Sequence, residues 1–345
     1  MHYISFIIIL SLIINESYSD QIDNDEIECI PHNSTHMDLT WERYKVKFQK
    51  TYSSLLERRR KKAWIENCKH IYQHNAAAAK GTHSYTLRPN HLSDLTNHNY
   101  HRQMIKLTKS RRRKLSMDEE IVGSTHGHIE HLPKEIDWRE KGFKTPPVDQ
   151  RDCGSCYAFS IAHILEAQLL KETAKLVPLS EQQIIDCSTK SGNYGCNGGS
   201  LRNTLRYLTT IGGIEGAEEY PYEAKSKKCK FDRGKIVTNV TTWSILPARD
   251  EHALQKTVAN VGPVAVSINA SPKTFQLYHR GIYNDDQCSS NSVNHAMIIV
   301  GYTKDAWILK NWWGEHWGEN GYMRLRRHKN LCGIANYVAY AKIIN

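Results

Sequence analysis

Two cysteines stand three residues apart in Cys153-Gly154-Ser155-Cys156-Tyr157-Ala158-Phe159-Ser160, just before a run with helical apolar spacing. Such a pair fits a redox couple, half of a metal site, or a nucleophile beside a cysteine committed elsewhere. A thiol attacks as its thiolate. A helix N-terminus and a neighbouring imidazolium lower its pKa to roughly 3.5–7.5, and Cys156 stands where the helix would begin. His295, in Val293-Asn294-His295-Ala296, immediately precedes an apolar run able to hold it rigidly. Asn311, in Lys310-Asn311-Trp312-Trp313-Gly314, falls at the end of the next such run, where its side-chain carbonyl can orient the imidazole. Trp313 and Trp317 are large enough to shield that hydrogen bond from water.

The competing chemistries lack parts. Zinc needs four N or S ligands, and the residues around Cys153 and Cys156 offer neither a second C-x-x-C nor a suitably spaced histidine pair, so no metal is expected. A thioredoxin-like motif follows a strand directly. Here Thr145-Pro146-Pro147-Val148-Asp149-Gln150 precedes it instead.

The elements that must position these groups are readable in outline. The 345 residues, 40% of them hydrophobic, suffice for two domains. The apolar run Ile4 to Ile14 is too short to span a bilayer and is followed by Ser17-Tyr18-Ser19, so residues 1–19 are expected to be a secretory signal. No later segment is long and apolar enough for a membrane anchor. Secretion makes disulfides probable for the nine cysteines, and their odd number leaves at least one unpaired. With Cys156 as the unpaired one, the residues alone leave the connectivity of the others open. Sequons at Asn33, Asn239 and Asn269 are glycosylation candidates. Residues 40–80 carry Trp41, Tyr44, Phe48, Tyr52, Trp64 and Ile71 at helical spacing and predict two helices. A polar linker over about 109–131 includes the basic block Arg111-Arg112-Arg113-Lys114, an attractive processing site.

After Pro133 the chain reads as one compact domain. Cys156 to Glu172 predicts an amphipathic helix with Phe159, Ala162, His163, Leu165 and Leu169 on its apolar stripe. Ser180 opens a capping box, and Val264–Ile268, Ala296–Val300 and Trp307–Lys310 predict strands. A helical half followed by a β-rich half is the α+β pattern. The net charge of +10 is spread over both parts, which argues against a nucleic-acid face.

At the cysteine, histidine and asparagine the chain closely resembles the papain-like cysteine proteases of the cathepsin L type. The likeness extends through Asp137-Trp138-Arg139, Gln150, Gly195-Cys196-Asn197-Gly198-Gly199, Tyr220-Pro221-Tyr222 and Trp317-Gly318-Glu319-Asn320-Gly321-Tyr322. It implies a papain-like two-domain fold, with a helical left domain and a β-barrel-like right domain meeting at the active-site cleft. It also implies endopeptidase activity without a cofactor, since no insertion resembles the occluding loop of carboxydipeptidase relatives. Cys156 would be the nucleophile, His295 its ion-pair partner and general acid, and Asn311 the orienting residue. Gln150 and the Cys156 N–H would form the oxyanion hole. Gly198 and Gly199 would face the substrate backbone, and Trp313 the leaving-group side. Ser200, Leu201, Ser267, Asn294, Ala296 and Tyr337 would line the pocket for the second residue before the scissile bond, with Tyr337 as a floor favouring moderate aliphatic side chains. The resemblance further implies the bridges Cys153–Cys196, Cys187–Cys229 and Cys288–Cys332.

Residues 20–131 resemble the matching inhibitory propeptide through Arg60, Trp64, Asn67, Ile71 and Asn75, then Asn90, Leu92 and Asp94. The mature protease would span 132–345. Implied partners are protein or peptide substrates, the chain's own propeptide and cystatin-type inhibitors, with a monomeric state, no nucleic acid and no membrane anchor. The implied location is the secretory pathway, ending in lysosomes or outside the cell. Eleven of the 18 histidines fall in residues 20–131, and their protonation is expected to loosen the propeptide in acid. Three departures stand out: Leu56 where the propeptide pattern begins with Glu, Tyr157 in place of Trp after the nucleophile, and Trp312 in place of Ser after the orienting asparagine. The rival expectation is a papain-fold binding protein without turnover, a class that typically loses its nucleophile.

Overall fold

The computed structural model describes residues 27–31, 34–108 and 132–344. The signal segment, Asn33, the basic block at Arg111 and the boundary near His131 lie outside the described residues.

Two helices, α1 (Ser34–Lys47) and α2 (Ser54–Ala79), bring Trp41, Tyr44 and Trp64 into one buried aromatic cluster. Trp41 lies 5.4 Å from Tyr44 and 5.5 Å from Trp64, ring centre to ring centre. Tilted and offset rings at such spacing add about 0.5–1.5 kcal/mol per pair beyond burial. A bridge between Cys29 and Cys68 ties the preceding segment to α2. The chain continues through β1 (Tyr85–Leu87) to α3 (Asn97–Met104), whose start is capped by Thr96 Oγ1 accepting from the Asn99 N–H.

The second part begins with β2 (Ile136–Asp137), followed by α4 (Cys156–Thr173), α5 (Glu181–Cys187) and α6 (Leu201–Ile211). Ser180 caps α5 by accepting from the Gln183 N–H. The expected stripe on α4 is in fact a helix buried on every side from Cys156 to Leu169. It packs against α5 and α6 as well as β5, β7 and β10, so no face is left for water. Then follow β3 (Ile214–Glu215), β4 (Ile236–Ile245), α7 (Glu251–Asn260), β5 (Val264–Ile268), α8 (Lys273–Gln276), β6 (Tyr278–Tyr283), β7 (His295–Tyr302), β8 (Ala306–Lys310), β9 (Tyr322–Arg326) and β10 (Val338–Ile344).

The strands run in the order β1-β6-β9-β8-β7-β5-β10-β4-β3, with β2 also on β7. Among the described residues the sheet is not closed. Its two end strands are β1 and β3, of three and two residues, and they come from distant parts of the chain. The propeptide therefore covers an edge of the protease sheet: Tyr85 pairs with Gly281 and Leu87 with Tyr278, antiparallel.

Candidate active site

Cys156 is the first residue of α4 and the free cysteine among those described. The backbone N–H of Ala296 and those of Tyr157 and Cys156 itself favour its ionised form, but complete burial outweighs them and pushes the thiol up to about 12. The Ala296 amide acting on this sulfur makes Cys156 and His295 neighbours across the packing of α4 on β7.

His295 opens β7, a strand buried along its whole length and paired with β5 and β8. Its Nε2–H donates to Asn311 Oδ1 at 2.7 Å, and Trp313 stacks on the ring at 4.8 Å between centroids. Burial drives the imidazolium pKa down to about 4, with the Asn311 bond opposing. Its Nδ1 is buried without a hydrogen-bond partner. Burial under the propeptide thus disfavours the charged form of both groups.

Gln150 is fully buried, its N–H donating to Trp312 O at 2.8 Å and its carbonyl accepting from Tyr222 at 2.6 Å. Its Nε2 donates to Cys153 O at 3.0 Å and to Met104 O at 3.4 Å. A propeptide carbonyl thus lies against the amide expected to receive a substrate's. Beyond α3 the propeptide runs along the cleft, with the Leu107 N–H donating to Asn294 O at 3.0 Å and the Thr108 N–H to Gly199 O at 2.8 Å. Leu107 and Gly199 form a parallel bridge. A Cβ at Gly198 would come within 1.9 Å of Lys106 O, so only glycine admits this approach.

Of the expected pocket residues, Ser200, Leu201, Ser267 and Ala296 are buried, while Asn294 and Tyr337 are partly exposed. Ser267 pairs with Ala296 across β5 and β7, and its N–H donates to Tyr337 O at 3.0 Å. Arg202, absent from the expected set, donates from Nε to the Tyr337 hydroxyl at 3.0 Å.

Cys153 is bonded to Cys196, Cys187 to Cys229 and Cys288 to Cys332, leaving Cys153 tied off beside the nucleophile. Asn239 is exposed. Asn269 is only 5% exposed and its Nδ2 donates to Ser289 O at 3.2 Å, which corrects the expectation of an accessible glycan acceptor there.

The propeptide motifs act as polar seams. Asn67 Nδ2 donates to the carbonyls of Ser93 and Leu95, and Asn75 exchanges two bonds with the Leu87 backbone. Asp94 accepts from Tyr44 and Tyr52 and faces Lys50 and Arg60. Asn90 donates to Gln276 O, and Gln276 Nε2 returns a bond to Leu92 O. The departure at Leu56 is repaired by its neighbour: Leu56 is exposed, while Glu57 accepts from Trp41 Nε1 at 3.2 Å and pairs with Lys45. Tyr157 stays buried and donates to Gly195 O.

Sequence reasoning missed the residues that block the cleft. Tyr100 packs edge-on against Trp313 at 5.5 Å and donates to Ala270 O at 2.7 Å; Met104, one turn on, is also buried. Their spacing of four residues behind the capping Thr96 was the available signal.

Outside the cleft, His163, Glu166 and Glu181 present possible metal-ligand atoms within 4.8 Å of one another. Lys310 already supplies positive charge to both carboxylates, and burial lowers its own pKa to about 8. Its Nζ is also held by the carbonyls of Thr145 and Pro146, so a metal ion would have to displace an anchored ammonium.

Residues 132–342 match the family described as Papain family cysteine protease, and residues 41–100 match the Cathepsin propeptide inhibitor domain (I29). The chain is 40% identical to Cathepsin K of Mus musculus over 89% of its own length and 94% of that protein. It is 39% identical to Cathepsin L of Sarcophaga peregrina over 88% and 92%. Among solved structures, digestive procathepsin L 3 of the Tenebrio molitor larval midgut superposes with a TM-score of 0.81 at 34% identity, covering 89% of this chain and 99% of that one.

Proposed function

Since the chain belongs to the papain family of cysteine proteases and carries the cathepsin propeptide inhibitor domain, we propose that it is a zymogen whose Cys156 and His295 cleave peptide bonds once the propeptide leaves. The observation that carries this reading is the His295 ring, whose Nε2–H is committed to Asn311 while Nδ1 remains without a partner beside the buried thiol. When water re-enters the cleft, the burial that disfavours both charged forms weakens. The Cys156 proton then passes to His295 Nδ1, giving a thiolate and an imidazolium.

The thiolate attacks the scissile carbonyl. Gln150 Nε2–H and the Cys156 N–H donate to the oxyanion as it forms, Gln150 exchanging the Met104 carbonyl for the substrate's. His295 protonates the leaving amine, and the acyl group remains on sulfur. Water, deprotonated by His295, then hydrolyses the acyl-enzyme. At the Leu107–Gly199 bridge the propeptide runs parallel to the backbone it meets. A substrate running the opposite way along Gly198 and Gly199 would present its carbonyl to Cys156, which explains why the propeptide blocks the cleft uncut.

Residues 1–19 act as signal, 20–131 as propeptide and 132–345 as mature enzyme. Protein or peptide substrates and cystatin-type inhibitors occupy the cleft, and the enzyme works in lysosomes or outside the cell. Tyr337, steadied by Arg202, favours Leu or Val over Phe at the second residue before the cut.

The test is labelling of acid-activated protein with an epoxide that traps active-site thiolates, followed by peptide mapping. Modification at Cys156 alone, with parallel loss of peptide-amide hydrolysis and no labelling of Cys156→Ala, is expected. Complete propeptide removal without labelling would overturn the reading in favour of a binding protein.

A further inference from the structure

Trp312 bonds to elements that carry each of the proposed catalytic groups. It is fully buried between α4 and β7. Its indole N–H is shared by Ala296 O at 2.9 Å and Ser160 Oγ at 3.2 Å. Ala296 follows His295, and Ser160 lies one turn beyond Cys156. The ring stacks on Phe159 at 5.5 Å and meets His163 edge-on at 4.6 Å, both on α4. Its backbone carbonyl accepts the Gln150 N–H at 2.8 Å. Its two chain neighbours, Asn311 and Trp313, hold the His295 ring by its Nε2–H and by its face. A serine here would be too short to reach across the seam to both Ala296 and the aromatic side chains of α4.

Resting on the cysteine-protease reading, we propose that Trp312 is a positioning residue that fixes the N-terminal end of α4 against the His295–Ala296 peptide and so sets how readily the thiolate–imidazolium pair forms. The chemistry depends on this spacing, because misplacement of reacting groups by about 1 Å can cost on the order of a hundredfold in rate. Trp312 reaches the catalytic groups through the backbone of Ala296 and through α4, so its effect is expected in kcat more than in KM.

The test uses the enzyme made as the full-length precursor and then acid-activated, together with two variants made in the same way. Trp312→Phe keeps the ring contacts and removes the N–H; Trp312→Ser removes both. Peptide-amide kinetics give kcat and KM, and the pH dependence of Cys156 alkylation by iodoacetamide reports the thiolate. For Trp312→Phe we expect kcat to fall about tenfold with KM within about twofold of wild type, and the alkylation midpoint to move to higher pH. Trp312→Ser should show the larger loss in kcat. Wild-type kcat and an unmoved alkylation profile in Trp312→Phe would overturn the proposal, as would a change confined to KM or thermal stability. If the tryptophan variants do not fold, Ser160→Ala, which removes one acceptor, is read by the same two criteria with a smaller expected shift. Wild-type protein that is not alkylated selectively at Cys156 would instead sink the protease reading itself, so the two failures are distinguishable.

Discussion

The propeptide and the protease domain are held together by different kinds of interaction. The protease domain is organised around α4, dry along most of its length, and a central strand β7 buried from end to end. Three disulfides close its loops. The propeptide has a small aromatic core at Trp41, Tyr44 and Trp64 and one bridge at Cys29 and Cys68. Its hold on the protease joins the packing of Tyr100 on Trp313 to backbone pairing at β1 and Thr108, an amide seam at Asn90 and the His101–Ser271 bond, much of it polar. Protons and water compete for those contacts far more readily than for a packed apolar core. Acid is therefore expected to detach the inhibitor while the fold that carries Cys156 and His295 stays intact.

The largest challenge to that contrast is Trp64→Ala in a Cys156→Ala background, which prevents self-cleavage. Removing a fully buried Trp costs about 3–5 kcal/mol. Calorimetry of the precursor should show the propeptide transition lost or strongly lowered with the protease transition unmoved. One joint transition shifting as a unit would show that the two regions are not independent.

Next comes Cys29→Ser with Cys68→Ser. The bridge closes a separation of 39 residues, and loops of that order are worth roughly 2–4 kcal/mol. The same calorimetry should record a lower propeptide midpoint, and the precursor should be cut faster by added active enzyme at neutral pH. An unchanged midpoint would mean that the aromatic core alone fixes the propeptide.

The smallest effect sharpens the role of acid. His74 donates to Tyr85 O in β1, stacks on His83 at 4.2 Å and lies near His70, which itself faces Lys273 and Asp285. Burial lowers the His74 pKa from 6.5 to about 4. The detached segment therefore binds the additional proton. The contribution of His74 to docking is complete above about pH 6.5 and is lost as pH falls toward 4, by at most about 1.4 kcal/mol per pH unit. His74→Gln keeps a donor for Tyr85 O without titrating. Its propeptide release should depend less steeply on pH between 6.5 and 4; a slope equal to wild type would remove His74 from the mechanism.

Much of the site was readable from residue order. Cys156, His295 and Asn311 each sit beside an element boundary that local signals mark: a helix start, a strand start and a strand end. Two kinds of feature were not. The burial of α4 on every side depends on what packs around it, which its own periodicity cannot reveal; Glu166 and His163 lie inside because Lys310 and Trp312 arrive from far along the chain. The pairing of β1 from the propeptide on the edge of β6 was hidden for a similar reason, since it joins strands far apart in the chain. Tyr100 and Met104 were visible as a spaced apolar pair, but only the folded chain shows that they lie across the cleft.

The inhibitor and its target are one polymer, and that joins two events. While the chain is whole, Leu107 and Thr108 meet Gly199 as parts of one molecule, at an effective concentration set by the connecting chain. A single cut after Thr108 leaves the contacts described above in place yet makes rebinding bimolecular. Dilution then opens the cleft, and the volume into which the cut precursor is released becomes part of its control.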